Sequence, residues 1–292
     1  MYFSTAAALS ALVAVAAGMP VNEVNEVNEV NGVDATSFKH NDFSCESSSN
    51  PIVLLHGLGA TYYEDLNFLE AYLKTRGYCT FSLTYGAYDG FPFVGGLKAI
   101  EESSKEIAEF VKYVHTTTGA KKVDLIGHSE GGFQSLYTPK VQGISDIVER
   151  IIAIAPPTHG TSFAGLFKLA SAFGPDFREK IAEVLKKFGC PACNDLSKDG
   201  DAVKKLIDGP IAQPGNKITI ITSKFDELVT PTETSFVREE GVNNIYVQDY
   251  CPLDPVGHIG EAYDLNVWNL VTNSLEDDIG DKFFCVIGSP GK

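Results

Sequence analysis

From residue 51 onward, short unbroken apolar runs alternate with longer stretches whose apolar residues recur every three or four positions. The runs lie at 51–55, 78–83, 123–126, 151–155, 217–222 and 244–248. Unbroken rather than alternating apolar runs are how strands look when both faces of a parallel sheet are covered. The periodic stretches predict helices over 63–76, 97–118 and 264–275, with another directly after Gly131. Leu66, Leu69 and Leu73 mark the inner stripe of the first; Ile100, Ile107, Phe110, Val111 and Val114 mark that of the second. Regular alternation of strand and helix predicts an α/β fold, a mostly parallel sheet with helices on both faces.

The alternation lapses twice. Between 158 and 214 no strand pattern appears, and about 160–214 reads as a helical insertion, a cap or lid over one end of the sheet. Its apolar residues, Phe163, Leu166, Phe167, Leu169 and Phe173, suit either an acyl-binding lid or core packing. Ahead of residue 51, Ala6 to Gly18 is almost wholly small or aliphatic, so residues 1–18 read as a signal peptide; the run is too short to span a bilayer as a mature helix. VNEVNEVNEVNGV at 21–33 is too polar and too short to bury anything, so 19–44 reads as a low-complexity pro-segment or linker, and 45–292 as the folded domain.

Charge and cysteine usage narrow the setting. The net charge of −15 argues against nucleic acid, where surplus Lys and Arg must neutralise phosphates. It also disfavours steady attachment to anionic lipid, though not brief contact with a neutral lipid interface. No later segment is long enough to insert stably in a membrane. The six cysteines, Cys45, Cys79, Cys190, Cys193, Cys251 and Cys285, are an even set that would form three disulfides in an oxidising compartment, with the pairing open. Cys190-Pro-Ala-Cys193 has no second such pair and no histidine at ligand spacing, so no metal site and no cofactor are expected.

The chemistry centres on Gly127-His128-Ser129-Glu130-Gly131, which directly follows one aliphatic run and directly precedes a helix. A strand turning sharply into a helix with glycines two residues either side is the nucleophile elbow of the α/β-hydrolase fold, with Ser129 at its tip. A serine hydroxyl needs a base, and that base needs a carboxylate. In this fold the chain order is Ser, acid, His. His258, after the last predicted strand, therefore stands out from His40, His56, His115, His128 and His159. His56 and His128 sit inside the two glycine motifs; His159 reads as a hydrogen-bonding or cap-anchoring residue. Asp226, after the strand at 217–222, is the expected acid, with Asp249 and Asp254 as understudies and Glu227 one residue out of place. Two backbone N–H groups would form the oxyanion hole, those of Leu58 in His56-Gly57-Leu58-Gly59 and of Glu130.

With these residues assembled, the chain resembles the extracellular class 2 lipases and esterases of actinobacteria and fungi. The likeness runs from about Asn50 to Cys285, through NPIVLLHGLG, RGYCTFSLTYG, KVDLIGHSEGG, PPTHGTS, CPACNDL, SKFDELVTP and DYCPLDPVGHIG. The resemblance implies Ser129, Asp226 and His258 as a triad, Leu58 and Glu130 as oxyanion donors, and disulfides Cys45–Cys79, Cys190–Cys193 and Cys251–Cys285. It departs at position 130, where relatives often carry a neutral residue; a carboxylate beside a developing oxyanion is unfavourable unless turned away or paired.

The expected function is a secreted, monomeric serine hydrolase acting on carboxylic esters, triacylglycerols or shorter acyl esters, through an acyl-enzyme. Two alternatives remain. The same triad would serve amides, thioesters or polyesters, and the scaffold would also serve as a non-catalytic binding module. An Asp-nucleophile hydrolase is excluded by Ser129.

Overall fold

The computed structural model describes residues 39–162 and 187–291, together with a two-residue antiparallel pair, Glu29–Val30 against Val33–Asp34. The expected leader at 1–18, most of the linker, and the lid residues Phe163, Leu166, Phe167, Leu169 and Phe173 lie outside the described residues.

Each apolar run forms a strand: β1 (Ile52–Leu55), β2 (Thr80–Ser82), β3 (Val123–His128), β4 (Val148–Ile154), β5 (Lys217–Thr222) and β6 (Asn243–Tyr246). They pair in the order β2-β1-β3-β4-β5-β6, and every pairing is parallel. Side chains alternate between the faces. Val53, Leu55, Leu125, Ile151, Ala153, Ile218 and Ile220 enter one core, and Ile52, Leu54, Ile126, Ile152, Ile154 and Ile221 the other. Full burial of each large aliphatic contributes about 1.5–3 kcal/mol, which is why the runs admit so few polar residues.

Helices close both cores. α2 (Ile100–Thr118) and α3 (Glu130–Val141) cover the first through Ile107, Val111, Val114, Phe133 and Leu136. α1 (Asn67–Thr75) and α8 (Leu265–Leu275) cover the second through Leu69, Leu73, Val267, Leu270 and Val271. Short helices α4 (Pro191–Asp195), α5 (Asp201–Ile207), α6 (Val247–Tyr250) and α7 (His258–Glu261) fill the connections. None of the described helices is long and apolar enough to cross a membrane.

After β1 the chain steps to one side to form β2, then returns past β1 to form β3. Loops leaving β1 and β3 therefore diverge, and a crevice opens at their carboxyl ends, where ligands bind in open parallel sheets. The glycine loop after β1 and the elbow after β3 both sit there. At the β2 edge, Asn41 exchanges side-chain hydrogen bonds with the Ser82 backbone, at 2.8 and 2.9 Å, and Phe43 packs on Phe81. All six cysteines are paired: Cys45–Cys79, Cys190–Cys193 and Cys251–Cys285.

Candidate active site

Ser129 occupies the turn between β3 and α3 with φ 55° and ψ −118°, a conformation that non-glycine residues rarely adopt. The strain is held by neighbours on both sides. The Ser129 N–H donates to the Ile154 carbonyl at 2.8 Å, anchoring the turn to β4. A side chain at Gly127 would collide with the Gly131 carbonyl, and one at Gly131 with the Leu55 carbonyl. Both glycines are thus demanded by the crossing of β3, α3 and β1, which is the physical content of the Gly-x-Ser-x-Gly spacing.

His258 begins α7, fully buried, with its Nε2 2.9 Å from Ser129 Oγ. Its Nδ1 lies 2.8 Å from Oδ2 of Asp226. The other Asp226 oxygen accepts the backbone N–H groups of Leu228 and Val229, at 2.8 and 2.9 Å, so the carboxylate is fixed before it meets the histidine. Three residues far apart in sequence thereby form a continuous relay, with Nδ1–H donating to Asp226 and Nε2 free to accept the serine proton.

Glu227 points elsewhere, as its position suggested, yet it is not idle. Its Oε2 accepts the His258 backbone N–H at 3.2 Å and braces the loop that presents the imidazole. Sequence alone gave no signal for that contact, since 31 residues separate the partners. Asp249 pairs with Lys224 on the surface at 2.7 Å. Asp254 accepts from Asn266, Val256 and Gly288. His159 meets the Thr234 carbonyl through Nδ1 at 2.9 Å, and His40 meets Ser82. Only His258 among the histidines is brought to the serine hydroxyl.

The loop after β1 lies against the elbow: a Cβ at Gly57 would stand 3.3 Å from Ser129 Cβ. Among the described residues, the backbone N–H groups of Leu58 and Glu130 find no protein acceptor. Both are buried beside the nucleophile, and a buried donor without a partner is costly unless a ligand supplies one. The loop is braced by Gly59 donating to the Gly95 carbonyl at 3.0 Å and Gly95 donating to the Ala60 carbonyl at 2.9 Å. His56 stays neutral there, its pKa pushed down to about 4 by burial. Its ring stacks on Tyr85, with centroids 4.2 Å apart.

The Glu130 side chain resolves the concern its sequence position raised. The carboxyl turns away toward Gly96, wholly buried, and neither oxygen has a hydrogen-bond partner. Burial first, and the Asp195 carboxylate second, push its pKa well above the usual carboxylate range. The shift favours the neutral acid, and the carboxyl is turned toward Gly96 rather than toward charge developing on a bound carbonyl. Among the described residues, no group of three or more His, Cys, Asp or Glu side chains is gathered in a way that could hold a metal ion.

The family model described as Lipase (class 2) matches residues 49–259. A triacylglycerol lipase of Pseudarthrobacter phenanthrenivorans is 26% identical over 163 residues, covering 53% of this chain and 49% of its own length. One of Burkholderia plantarii is also 26% identical over 163 residues, covering 53% and 43%. The chain thus spans about half the length of the curated relatives it matches. Among solved structures, Aspergillus fumigatus lipase B superposes with a TM-score of 0.62 at 19% identity, over 83% of this chain and 55% of that one. An α/β hydrolase enzyme from the metagenome of lagoon sediments superposes with a TM-score of 0.53 at 17% identity, over 80% and 93%. At such identities these two structures speak for the α/β-hydrolase fold.

Proposed function

The chain belongs to the class 2 lipase family, and from that premise we propose that it hydrolyses carboxylic esters of lipids through an acyl-enzyme formed on Ser129. One observation carries the reading: a serine held at positive φ whose hydroxyl lies 2.9 Å from an imidazole that is itself fixed at 2.8 Å by a buried carboxylate. Ser129 Oγ attacks the ester carbonyl as Nε2 of His258 takes its proton. Asp226 stabilises the resulting imidazolium and keeps the ring in the required tautomer. The N–H groups of Leu58 and Glu130 receive the oxyanion. His258 returns the proton to the leaving alcohol, then activates water to release the acyl group as a carboxylic acid.

The acyl chain is assigned to the 160–214 insertion, with 45–292 as the folded domain around it. Support comes from Phe188 within it, which stacks on Tyr88 at 4.2 Å, with Phe91 edge-on to the same ring. That contact joins the insertion to the 86–97 segment, whose Gly95 braces the Leu58 loop. An apolar wall so placed suits a fatty acyl chain. Three disulfides suit an oxidising compartment, so secretion after removal of residues 1–18 is part of the proposal, as is a monomer making transient contact with a lipid interface.

Hydrolysis of a p-nitrophenyl ester series by the wild-type chain and by Ser129→Ala tests the reading. Loss of turnover in the variant, together with fluorophosphonate labelling of Ser129 in the wild type, is the expected result. Ester cleavage that survives in Ser129→Ala would overturn it.

A further inference from the structure

Beneath the triad lies a second histidine–carboxylate pair that the reaction as written does not use. Asp65 and His128 are both buried, 63 residues apart in sequence, with Nδ1 of His128 3.0 and 3.1 Å from the two carboxylate oxygens. The other ring nitrogen, Nε2, lies 3.0 Å from the backbone carbonyl oxygen of His258. Asp65 Oδ2 also accepts the Gly57 N–H at 2.6 Å, one residue before the oxyanion donor Leu58. We infer that Asp65 is a positioning residue for the Ser129 reaction: through His128 and Gly57 it ties the oxyanion loop, the elbow and the His258 loop into one rigid frame. The inference rests on the ester-hydrolase reading given above.

The proton count gives the pair its character. A neutral imidazole has one N–H, but both nitrogens of His128 face groups that accept. The carbonyl of His258 can only accept. The Asp65 oxygens already receive N–H groups from Gly57 and from the ring, an arrangement that favours the ionised carboxylate. The two protons therefore sit on His128, making it an imidazolium against a carboxylate, net neutral and out of solvent. Burial opposes both charges, yet mutual attraction outweighs it, raising the His128 pKa and lowering that of Asp65. The titratable groups facing the pair are His56, Tyr85 and Tyr263 around Asp65, and His258 and Asp226 around His128.

Geometry explains why such a pair belongs there. The His128 and His258 rings are 5.0 Å apart, and His258 must itself gain a proton during attack. An uncompensated imidazolium at that distance would oppose this step, whereas the Asp65 charge cancels it. A neutral His128 would instead release either the His258 carbonyl or Asp65 and loosen the frame.

Imidazole nitrogen NMR on the intact wild-type chain, with kinetics of Asp65→Asn and His128→Gln, tests the inference. Wild type at pH 8 is expected to show both His128 nitrogens protonated. Asp65→Asn is expected to show one, with kcat lowered about 10- to 100-fold and KM changed less than about threefold, as misplacement of reacting groups produces. His128→Gln is expected to give the same split. A neutral His128 in the wild type, or wild-type kcat in a folded Asp65→Asn, would overturn it. Ser129→Ala separates this from the parent reading: that variant should lose turnover and keep the doubly protonated His128 signal. If the chain cleaves no ester at all, the NMR result still decides whether the pair exists.

Discussion

The carboxyl of Glu130 fills the space that a side chain at Gly96 would need. A Cβ at Gly96 would stand 2.6 Å from Glu130 Oε2, and the glycine has φ +69°. Gly96 is therefore doubly constrained, by a left-handed backbone and by the side chain of the residue that follows the nucleophile. The link runs from the loop after β2 to the elbow without passing through the triad.

Gly96→Ala is expected to destabilise the fold by about 1–3 kcal/mol, combining αL strain with displacement of a buried side chain. Denaturant unfolding measures it. Truncating the obstacle in the Glu130→Ala, Gly96→Ala double variant should recover part of that cost, because the two residues touch. Strict additivity of the two substitutions would contradict a shared space.

Glu130 and Glu261 are both wholly buried, and burial pushes both carboxyls well above the ordinary value of 4.5. The raised values favour the protonated form in the fold over the unfolded chain, so each group's stability contribution is full below about pH 4.5 and falls as pH rises toward the folded value. Each pH unit inside that window costs up to about 1.4 kcal/mol per group. Glu130→Gln should thus gain melting temperature relative to wild type as pH goes from 5 to 8. A difference that stays constant across that range would mean the Glu130 carboxyl is not kept protonated by the fold.

Much of this fold is legible in the sequence, and what is hidden has a common cause. The six strands follow their apolar runs because both faces of a parallel sheet demand them, and Gly127 and Gly131 mark the elbow because the backbones cross there. Helix α1 begins at Asn67 rather than 63, since Asp65 is drawn out of helical register to reach Gly57 and His128. The last strand stops at Tyr246 rather than 248, because Gln248 turns to bond Ser223 and Lys224. Each departure serves a contact between residues distant in sequence, to which local periodicity is blind. The Asp65–His128 pair and the Glu227 brace were hidden for the same reason.

Asp226→Asn keeps the acceptor oxygen that Leu228 and Val229 require, but its amide would face Nδ1 of His258 as a donor. The ring would then be held in the wrong tautomer. We expect kcat to fall roughly 10³- to 10⁴-fold with KM nearly unchanged, and melting temperature within a few degrees of wild type. Steady-state kinetics on a soluble ester checks the split. A large rise in KM instead would place Asp226 in substrate binding.

The Cys251–Cys285 bond holds the C-terminal tail against the histidine loop. It closes a loop with a sequence separation of 34, which in the chain-entropy account contributes about 3–4 kcal/mol. Beyond it, Asn266 bonds both the N–H and the carbonyl of Val286, and Gly288 donates to Asp254. The Ser289 carbonyl presses on Gly260 and that of Pro290 on Gly257, so the tail touches the residue before His258 and another two beyond it. Replacing both cysteines by serine should lower stability by an amount of that order and free the tail to exchange its amide protons faster. Because the Glu227 carboxylate still accepts the His258 backbone N–H, the triad should survive, and kcat at 25 °C should fall by less than about tenfold. Amide exchange of Val286 and Gly288, read beside the ester assay, tests both halves. Unchanged exchange in the serine variant would show that the hydrogen bonds alone hold the tail, and a collapse of kcat would show that the tail, rather than Glu227, sets the position of His258.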